Sequence, residues 1–364
     1  MISSPPSLDA KALAQQFKEE GFVVLKSVLD QALVADILRA YDTALNNKMA
    51  RLQIKPVEAS LDDQGRVGLD FKPEGGNHDM NRWNMHLPST PDFLREEVFA
   101  NPAFLPIIQQ LLGKDCVNIM LASDTPLPGA SYQSYHQDLN RMAITVNIAL
   151  RDVGEHDSPL EIIPKTHRAL DANNRFQPYT TDNVKHTKDQ IKWASEQMET
   201  KRLTAPAGSV IIRDQRMIHR GTAHDGTAYR PLLALWYKQA PTGNTDLSTV
   251  TIPVPHRKTA NRVAKKALAM RNAGRSKQNK EVINIGSLIG RVVDETSCTD
   301  RDYRRVIPQS IWKTFSPEAK QLLRYAEVEG GPTPEQQTGV TRSGKGDFIL
   351  KAFSGILHLY RRFV

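Results

Sequence analysis

The chain has 364 residues, 40% hydrophobic and 24% charged, which suits one large globular domain or two ordinary ones. Its net charge of +8 favours anionic partners such as nucleic acid, a membrane surface, or a phosphorylated or carboxylated substrate, and it leaves the fold open. Two distant cysteines, Cys116 and Cys298, exclude a disulfide framework and a thiolate zinc site and read as inert buried thiols. With no signal pattern at Met1–Ala10 and no run of about 18 apolar residues, the expectation is a cytoplasmic protein without a membrane span.

In chain order, Leu8 to Lys18 has helical spacing, with Leu8, Ala12, Leu13 and Phe17 on one face and Gly21 as the stop. Phe22–Leu25 reads as a short strand. Asp30 reads as the N-cap of a helix to about Asn46, with Leu33, Ile37, Leu38, Tyr41 and Leu45 as its buried stripe. Arg51 to Asn81 reads as loop, and Arg82 to Pro88 is a cluster of polar and large side chains. A helical pattern from about Pro91 to Leu112 is broken at Asn101-Pro102 and closes at Gly113.

From Val117 the period changes to that of strands. Val117–Ala122, Ser131–Asp138, Ala143–Leu150, Leu160–Ile163, Ser209–Ile212 and Leu232–Lys238 alternate with Gly/Pro turns, which suggests a sandwich, barrel or jelly roll. The polar insert Ala169–Arg202, helical over Thr187–Met198, is the kind of excursion that covers a site. Arg257 to Lys280 carries nine Lys/Arg and no acidic residue and reads first as a solvated basic segment. Phe348 to Val364 is amphipathic and basic, suited to docking on the protein's own core.

His136-Gln137-Asp138 is the only His-x-Asp/Glu in the chain. One intervening residue puts both side chains on one face of an extended segment, a pair that makes two of the three ligands of a facial iron site if a distant histidine supplies the third. With ten His and 40 acidic residues in 364, chance alone yields about one such pair, so context decides. The context is a strand-rich middle, a later histidine after the strand opening at Gly208-Ser209-Val210, and Arg230 eleven residues beyond His219, where a guanidinium fork can hold a carboxylate at two points.

The order His136-x-Asp138, Leu160-Glu161-Ile162-Ile163-Pro164-x-x-His167, Gly208-Ser209-Val210, His219 and Arg230 resembles the phytanoyl-CoA dioxygenase family of Fe(II)/2-oxoglutarate oxygenases. The resemblance covers roughly residues 10 to 240, including Phe17–Leu25 and the helix after Asp30. It implies an α+β protein: a double-stranded β-helix (cupin-type jelly roll) core over 116–250, a packed N-terminal helical layer over 1–115, and a basic C-terminal extension over 251–364. It implies His136, Asp138 and His219 as iron ligands and Arg230 as the clamp for the distal carboxylate of 2-oxoglutarate. Gln133 and, more weakly, Asn84 are candidates to hydrogen-bond that cosubstrate. The implied cofactors are Fe(II), 2-oxoglutarate and O2, with ascorbate a candidate stimulant. The implied reaction is hydroxylation or a related oxidation of a small molecule at an unactivated C–H bond, with release of succinate and CO2. Asp138 points away from halogenation, because halogenating relatives lack the carboxylate ligand.

Two departures from relatives concern finer contacts: Lys165-Thr166 in place of Gly-Ser before His167, and Gly221 where many relatives carry a hydroxyl, with Thr222 next. His224 competes with His219 for the distal position, and the offsets to Gly208 and Arg230 favour His219. His167 reads as a turn residue rather than a ligand. Arg82, Trp83, His86, Asn140 and Met142 are candidates to face a substrate, although packing explains Trp83 equally well. The alternative from another class is a non-catalytic protein that binds nucleic acid or anionic lipid through residues 255–280. That segment lacks interleaved aromatics, so no specific nucleic acid is expected. An anionic or lipid-like small molecule and peripheral membrane contact are the partner expectations; oligomeric state is open.

Overall fold

The computed structural model describes residues 9–52, 82–240 and 306–331. The chain divides into two compact units. Among the described residues the first holds 9–52, 82–85 and 91–239, and the second holds 86–90, 240 and 306–331. The basic segment Arg257–Lys280, Cys298 and the stretch Phe348–Val364 lie outside the described residues; of the loop expected over Arg51–Asn81, Arg51 and Leu52 are helical and the rest lies outside them too.

In the first unit, α1 (Ala10–Glu20) starts at Asp9, whose carboxylate accepts from Lys11 N and Ala12 N at 3.0 Å, and stops at Gly21 with φ 86°. Only a residue tolerant of the left-handed region ends a helix this way. β1 (Phe22–Leu25) and α2 (Gln31–Leu52) follow, with Asp30 Oδ1 capping through Leu33 N at 3.0 Å. Then come β2 (Arg82–His86), α3 (Glu96–Phe99) and α4 (Leu105–Leu112), the last two separated at Asn101-Pro102. The remaining strands are β3 (Val117–Pro126), β4 (Ile144–Ala149), β5 (Leu160–Ile162), β6 (Lys201–Leu203), β7 (Val210–Asp214), β8 (His219–Gly221) and β9 (Leu232–Lys238). α5 (Lys188–Gln197) interrupts them and opens on a capping box between Thr187 and Gln190.

These strands form a six-stranded sheet in the order β1-β7-β4-β9-β3-β2 and a three-stranded sheet in the order β6-β5-β8. The β1–β7, β7–β4, β4–β9, β9–β3, β5–β6 and β5–β8 pairs are all antiparallel. The large sheet is buried on both faces. Its outer face presents Ile144, Val146, Ile148, Ile212, Leu233 and Leu235 to the helical layer. There Tyr41 of α2 bonds to Ser123 and Thr125 of β3 at 2.7 and 2.5 Å, and Tyr237 of β9 donates to Phe99 O at 2.6 Å. On the inner face Phe22 and Ile211 pack against Leu160, Ile162, Leu203 and Met217, so the two sheets close on each other. Beyond these, the inner face carries the small or polar Asp124, Ala122, Asn147, Thr145, Ala234 and Arg213 together with Leu232 and Trp236.

The strand expected over Ser131–Asp138 is not a strand. Gln133 N bonds to Gly221 O and His136 N to His219 O, a pairing whose register slips by one residue. Such a slip is a bulge, and it breaks the ladder down to the single bridge His136–His219. In the second unit, β10 (Val306–Ile307) pairs in parallel with β11 (Glu327–Val328), and α6 (Gln309–Thr314) and α7 (Pro317–Leu322) lie between them in sequence. Among the described residues no helix is long and apolar enough to cross a membrane.

Candidate metal centre

His136 and His219 face each other through the one bridge that survives the bulge, with His136 N to His219 O and His219 N to His136 O both at 3.0 Å. In such a pair the two side chains leave the backbone on the same side. Each imidazole is then fixed by its own chain: His136 Nδ1 donates to Ser134 O at 2.8 Å and His219 Nδ1 to Met217 O at 3.0 Å. That choice of tautomer turns both Nε2 lone pairs inward. Asp138 Oδ1 lies 3.6 Å from His136 Nε2 and 3.6 Å from His219 Nε2. These separations are too long for hydrogen bonds, so the three atoms converge on a point and not on one another.

A metal ion fits that point. All three ligand atoms lie within 4.8 Å of one another. Around a six-coordinate ion with bonds of about 2.1 Å, adjacent ligand atoms lie about 3 Å apart, a difference that small side-chain torsions close. Two imidazoles and one carboxylate on one side are the donor set of non-haem Fe(II). Burial works against a charge on Asp138, yet Arg213 and the two imidazoles outweigh it and hold the carboxyl well below the usual range. Burial and then the charge of Arg213 push His219 down to about 3, which keeps its ring neutral and its lone pair available. Burial lowers His136 as well, but the carboxylate of Asp138 beside it prevails and leaves it raised.

His224 is not part of this group. Its Nε2 is spent on Ala228 O at 2.8 Å and its Nδ1 accepts from Gly226 N at 3.1 Å. His167 is buried under α1 with Nε2 on Lys18 O at 3.0 Å, and burial lowers it to about 4. Met142 turns to Tyr179 of the insert, its sulfur 3.9 Å from Tyr179 Oη and 3.2 Å from Arg216 Nη2. The insert itself is stapled beside the centre. Gln137 accepts from His186 N at 3.0 Å, and Arg216 Nη1 donates to Thr180 O and Asp182 O at 2.8 and 2.7 Å. The side chains of Asn84, Trp83 and His86 lie outside the described residues.

A second cluster adjoins β8. Arg230 is buried, with Nε on Asp157 O at 3.2 Å and Nη2 on Ser158 O at 2.5 Å, while Nη1 has no hydrogen-bond partner. Burial lowers its pKa to about 10 against the opposing pull of Asp124. Arg82, fully buried, donates to Ser131 O at 3.2 Å, Ser158 Oγ at 3.0 Å and Thr222 O at 2.7 Å. Both guanidiniums stand 3.8 Å from Asp124 Oδ2. Arg230 Nη1, buried and without a hydrogen-bond partner, leaves a guanidinium edge that a carboxylate could take. The missing hydroxyl at Gly221 now has a cause: any Cβ there would overlap the Arg82 guanidinium. Gln133 Oε1 accepts from Gly221 N at 2.8 Å, and Thr222 Oγ1 is spent on Pro159 O at 2.9 Å.

Two of these groups were not singled out by the sequence. Asp124 sits at the end of a long apolar-to-polar strand. Arg213 ends the run Val210-Ile211-Ile212 on the inner face and donates from Nη2 to Asp138 Oδ2 at 2.5 Å. A cation closing an apolar strand was the available signal.

A family model for phytanoyl-CoA dioxygenase matches residues 17–232. Among solved structures, AviO1 from Streptomyces viridochromogenes Tue57 is 18% identical over 65% of this chain and 99% of its own, with a TM-score of 0.42. The epimerase SnoN in complex with Fe3+, alpha ketoglutarate and nogalamycin RO is 16% identical over 64% and 84%, with a TM-score of 0.44. EctD from S. alaskensis with 2-oxoglutarate and 5-hydroxyectoine is 16% identical over 66% and 79%, with a TM-score of 0.45.

Proposed function

The chain belongs to the phytanoyl-CoA dioxygenase family of Fe(II)- and 2-oxoglutarate-dependent enzymes, and from that premise we propose that it hydroxylates a small molecule at an unactivated C–H bond. The observation that carries the reading is the convergence of Asp138 Oδ1 with two imidazole Nε2 atoms, each imidazole locked by its Nδ1. In this reading His136, Asp138 and His219 hold the iron, and the two facing sheets are the halves of a double-stranded β-helix.

Arg230 holds the distal carboxylate of 2-oxoglutarate with its uncommitted Nη1, and Arg82 adds a second positive charge beside it. The placement supports this. His219 and Gly221 share one face of β8, about 6.6 Å apart along a strand, and Arg82 lies against Gly221. That is a span suited to a five-carbon dicarboxylate whose other end chelates the metal. Gln133 fixes the Gly221 backbone and so positions this pocket. Iron held by His136, Asp138 and His219 together with 2-oxoglutarate and dioxygen would supply the oxidant for hydrogen removal, with succinate and carbon dioxide as the co-products. The chain's own part is to keep His219 neutral, Asp138 charged and the distal carboxylate out of water.

The test is succinate release from 2-oxoglutarate with Fe(II), ascorbate and a library of small molecules. Stimulated release by some member, lost in Asp138→Ala, is the expected result. Full turnover in His136→Ala or Asp138→Ala sinks the assignment.

A further inference from the structure

Arg213 is a buried cation that the cosubstrate pocket does not absorb. It stands at the metal end of the inner face of the large sheet. Nη2 holds Asp138 Oδ2, while Nε and Nη1 are buried without a hydrogen-bond partner. Two other buried side chains of that face are equally unsatisfied. Thr145 Oγ1 lies directly opposite Arg213 in the β4–β7 ladder. The amide of Gln215, fully buried and two residues further on, makes no side-chain hydrogen bond, and its own N–H continues the ladder to Ala143 O at 3.0 Å. Buried polar atoms in folded proteins are almost always paired, so three unsatisfied groups on one face next to a candidate metal centre mark where a polar ligand sits.

The charge of that ligand follows from the groups around it. A divalent iron, Asp138, the metal-bound carboxylate of 2-oxoglutarate and Arg213 together leave one positive charge in a site of low dielectric. One more anion neutralises it. Guanidinium has five N–H donors in a planar fork, so it can hold Asp138 and a second carboxylate at once.

We propose that Arg213, with Thr145 and Gln215, is the recognition site for the primary substrate, and that it binds a carboxylate of that substrate next to the reacting centre. The substrate class is therefore a small carboxylic acid oxidised near its acid group. This rests on the iron and 2-oxoglutarate reading above. Arg213 also keeps Asp138 a one-oxygen ligand by engaging the oxygen that faces away from the two histidines.

The experiment uses the full chain, loaded anaerobically with Fe(II) and 2-oxoglutarate. The readout is the visible charge-transfer band of the iron–2-oxoglutarate chelate. The probes are propionate against propionamide and 3-phenylpropionate against 3-phenylpropionamide. The acids are expected to shift the band saturably and at least about tenfold more tightly than their amides, the size of a lost charge-assisted hydrogen bond. In Arg213→Lys, which keeps one donor and the charge for Asp138, that preference falls about tenfold while 2-oxoglutarate affinity stays within about threefold. Thr145→Val, close in shape, weakens the acids several-fold and covers the case in which Arg213→Lys fails to fold.

A band with no saturable response to either acid up to millimolar concentration overturns the proposal, as does an acid preference untouched by both variants. A rise in the 2-oxoglutarate dissociation constant in Arg213→Lys with acid binding unchanged assigns Arg213 to the cosubstrate and also overturns it. Absence of the band in the wild-type protein takes down the iron reading itself and is distinguishable from these.

Discussion

Gly221→Ala is the substitution on which the two-arginine pocket can be tested most sharply. The added methyl would overlap the Nη1, Cζ and Nη2 atoms of Arg82. Arg82 cannot swing aside cheaply, because it is fully buried and bonded to Ser131 O, Ser158 Oγ and Thr222 O. Overpacking of this kind costs about 1–3 kcal/mol, and loosening one hydrogen bond from a charged donor adds about 1.5–3 kcal/mol. For a unit of this size each kcal/mol shifts the midpoint by about 2–4 °C, so a fall of about 5–25 °C is expected. Thermal melting and 2-oxoglutarate binding should change together, the latter weakening about tenfold as Arg82 moves. In an Arg82→Leu background the same methyl should cost less than about 0.5 kcal/mol, since the collision is gone. If Gly221→Ala melts with the wild type and binds 2-oxoglutarate normally, Arg82 is not where the pocket requires it.

Other expectations follow from the same geometry. His224→Gln should keep full Fe(II) binding and His219→Gln should lose it, measured by anaerobic dialysis; equal loss in both would contradict the choice of ligand. Arg230→Lys should raise the 2-oxoglutarate KM about 10- to 100-fold through lost fork contacts while Fe(II) affinity holds; an unchanged KM would remove Arg230 from the pocket. His167, lowered by burial to about 4, stays neutral in the fold while the unfolded chain takes up a proton below about 6.5. Stability is therefore complete above that value and is lost as pH falls through the window from about 6.5 to 4, by about 2 kcal/mol between pH 7 and 5. Denaturant midpoints at the two pH values check it, and His167→Gln should reduce the difference by about that amount, leaving the share of His219, which burial lowers to about 3. A chelator should lower the melting temperature of iron-loaded protein and leave Asp138→Ala unmoved.

Much of this was legible in the chain because local chemistry agreed with tertiary need. Gly21, Asp30 and Gly113 mark helix ends that the fold keeps. The histidines and Asp138 were readable because a metal centre fixes residue type and order. The segment around His136 misled, since its polar-aromatic alternation resembles a strand while a one-residue slip against β8 leaves a single bridge. Arg213 and Asp124 were invisible for another reason. Each is one charged residue at the end of a strand, and only the register shows that it faces inward. Gly221 looked like a lost hydroxyl; the structure gives it a steric reason in Arg82, 139 positions earlier in the chain, a pairing no local pattern encodes.

The most direct measurement of the central claim is anaerobic Fe(II) binding with and without 2-oxoglutarate. The account predicts one iron per chain, bound more tightly in the presence of 2-oxoglutarate and lost in Asp138→Ala. Undiminished iron and 2-oxoglutarate binding by Asp138→Ala would contradict it.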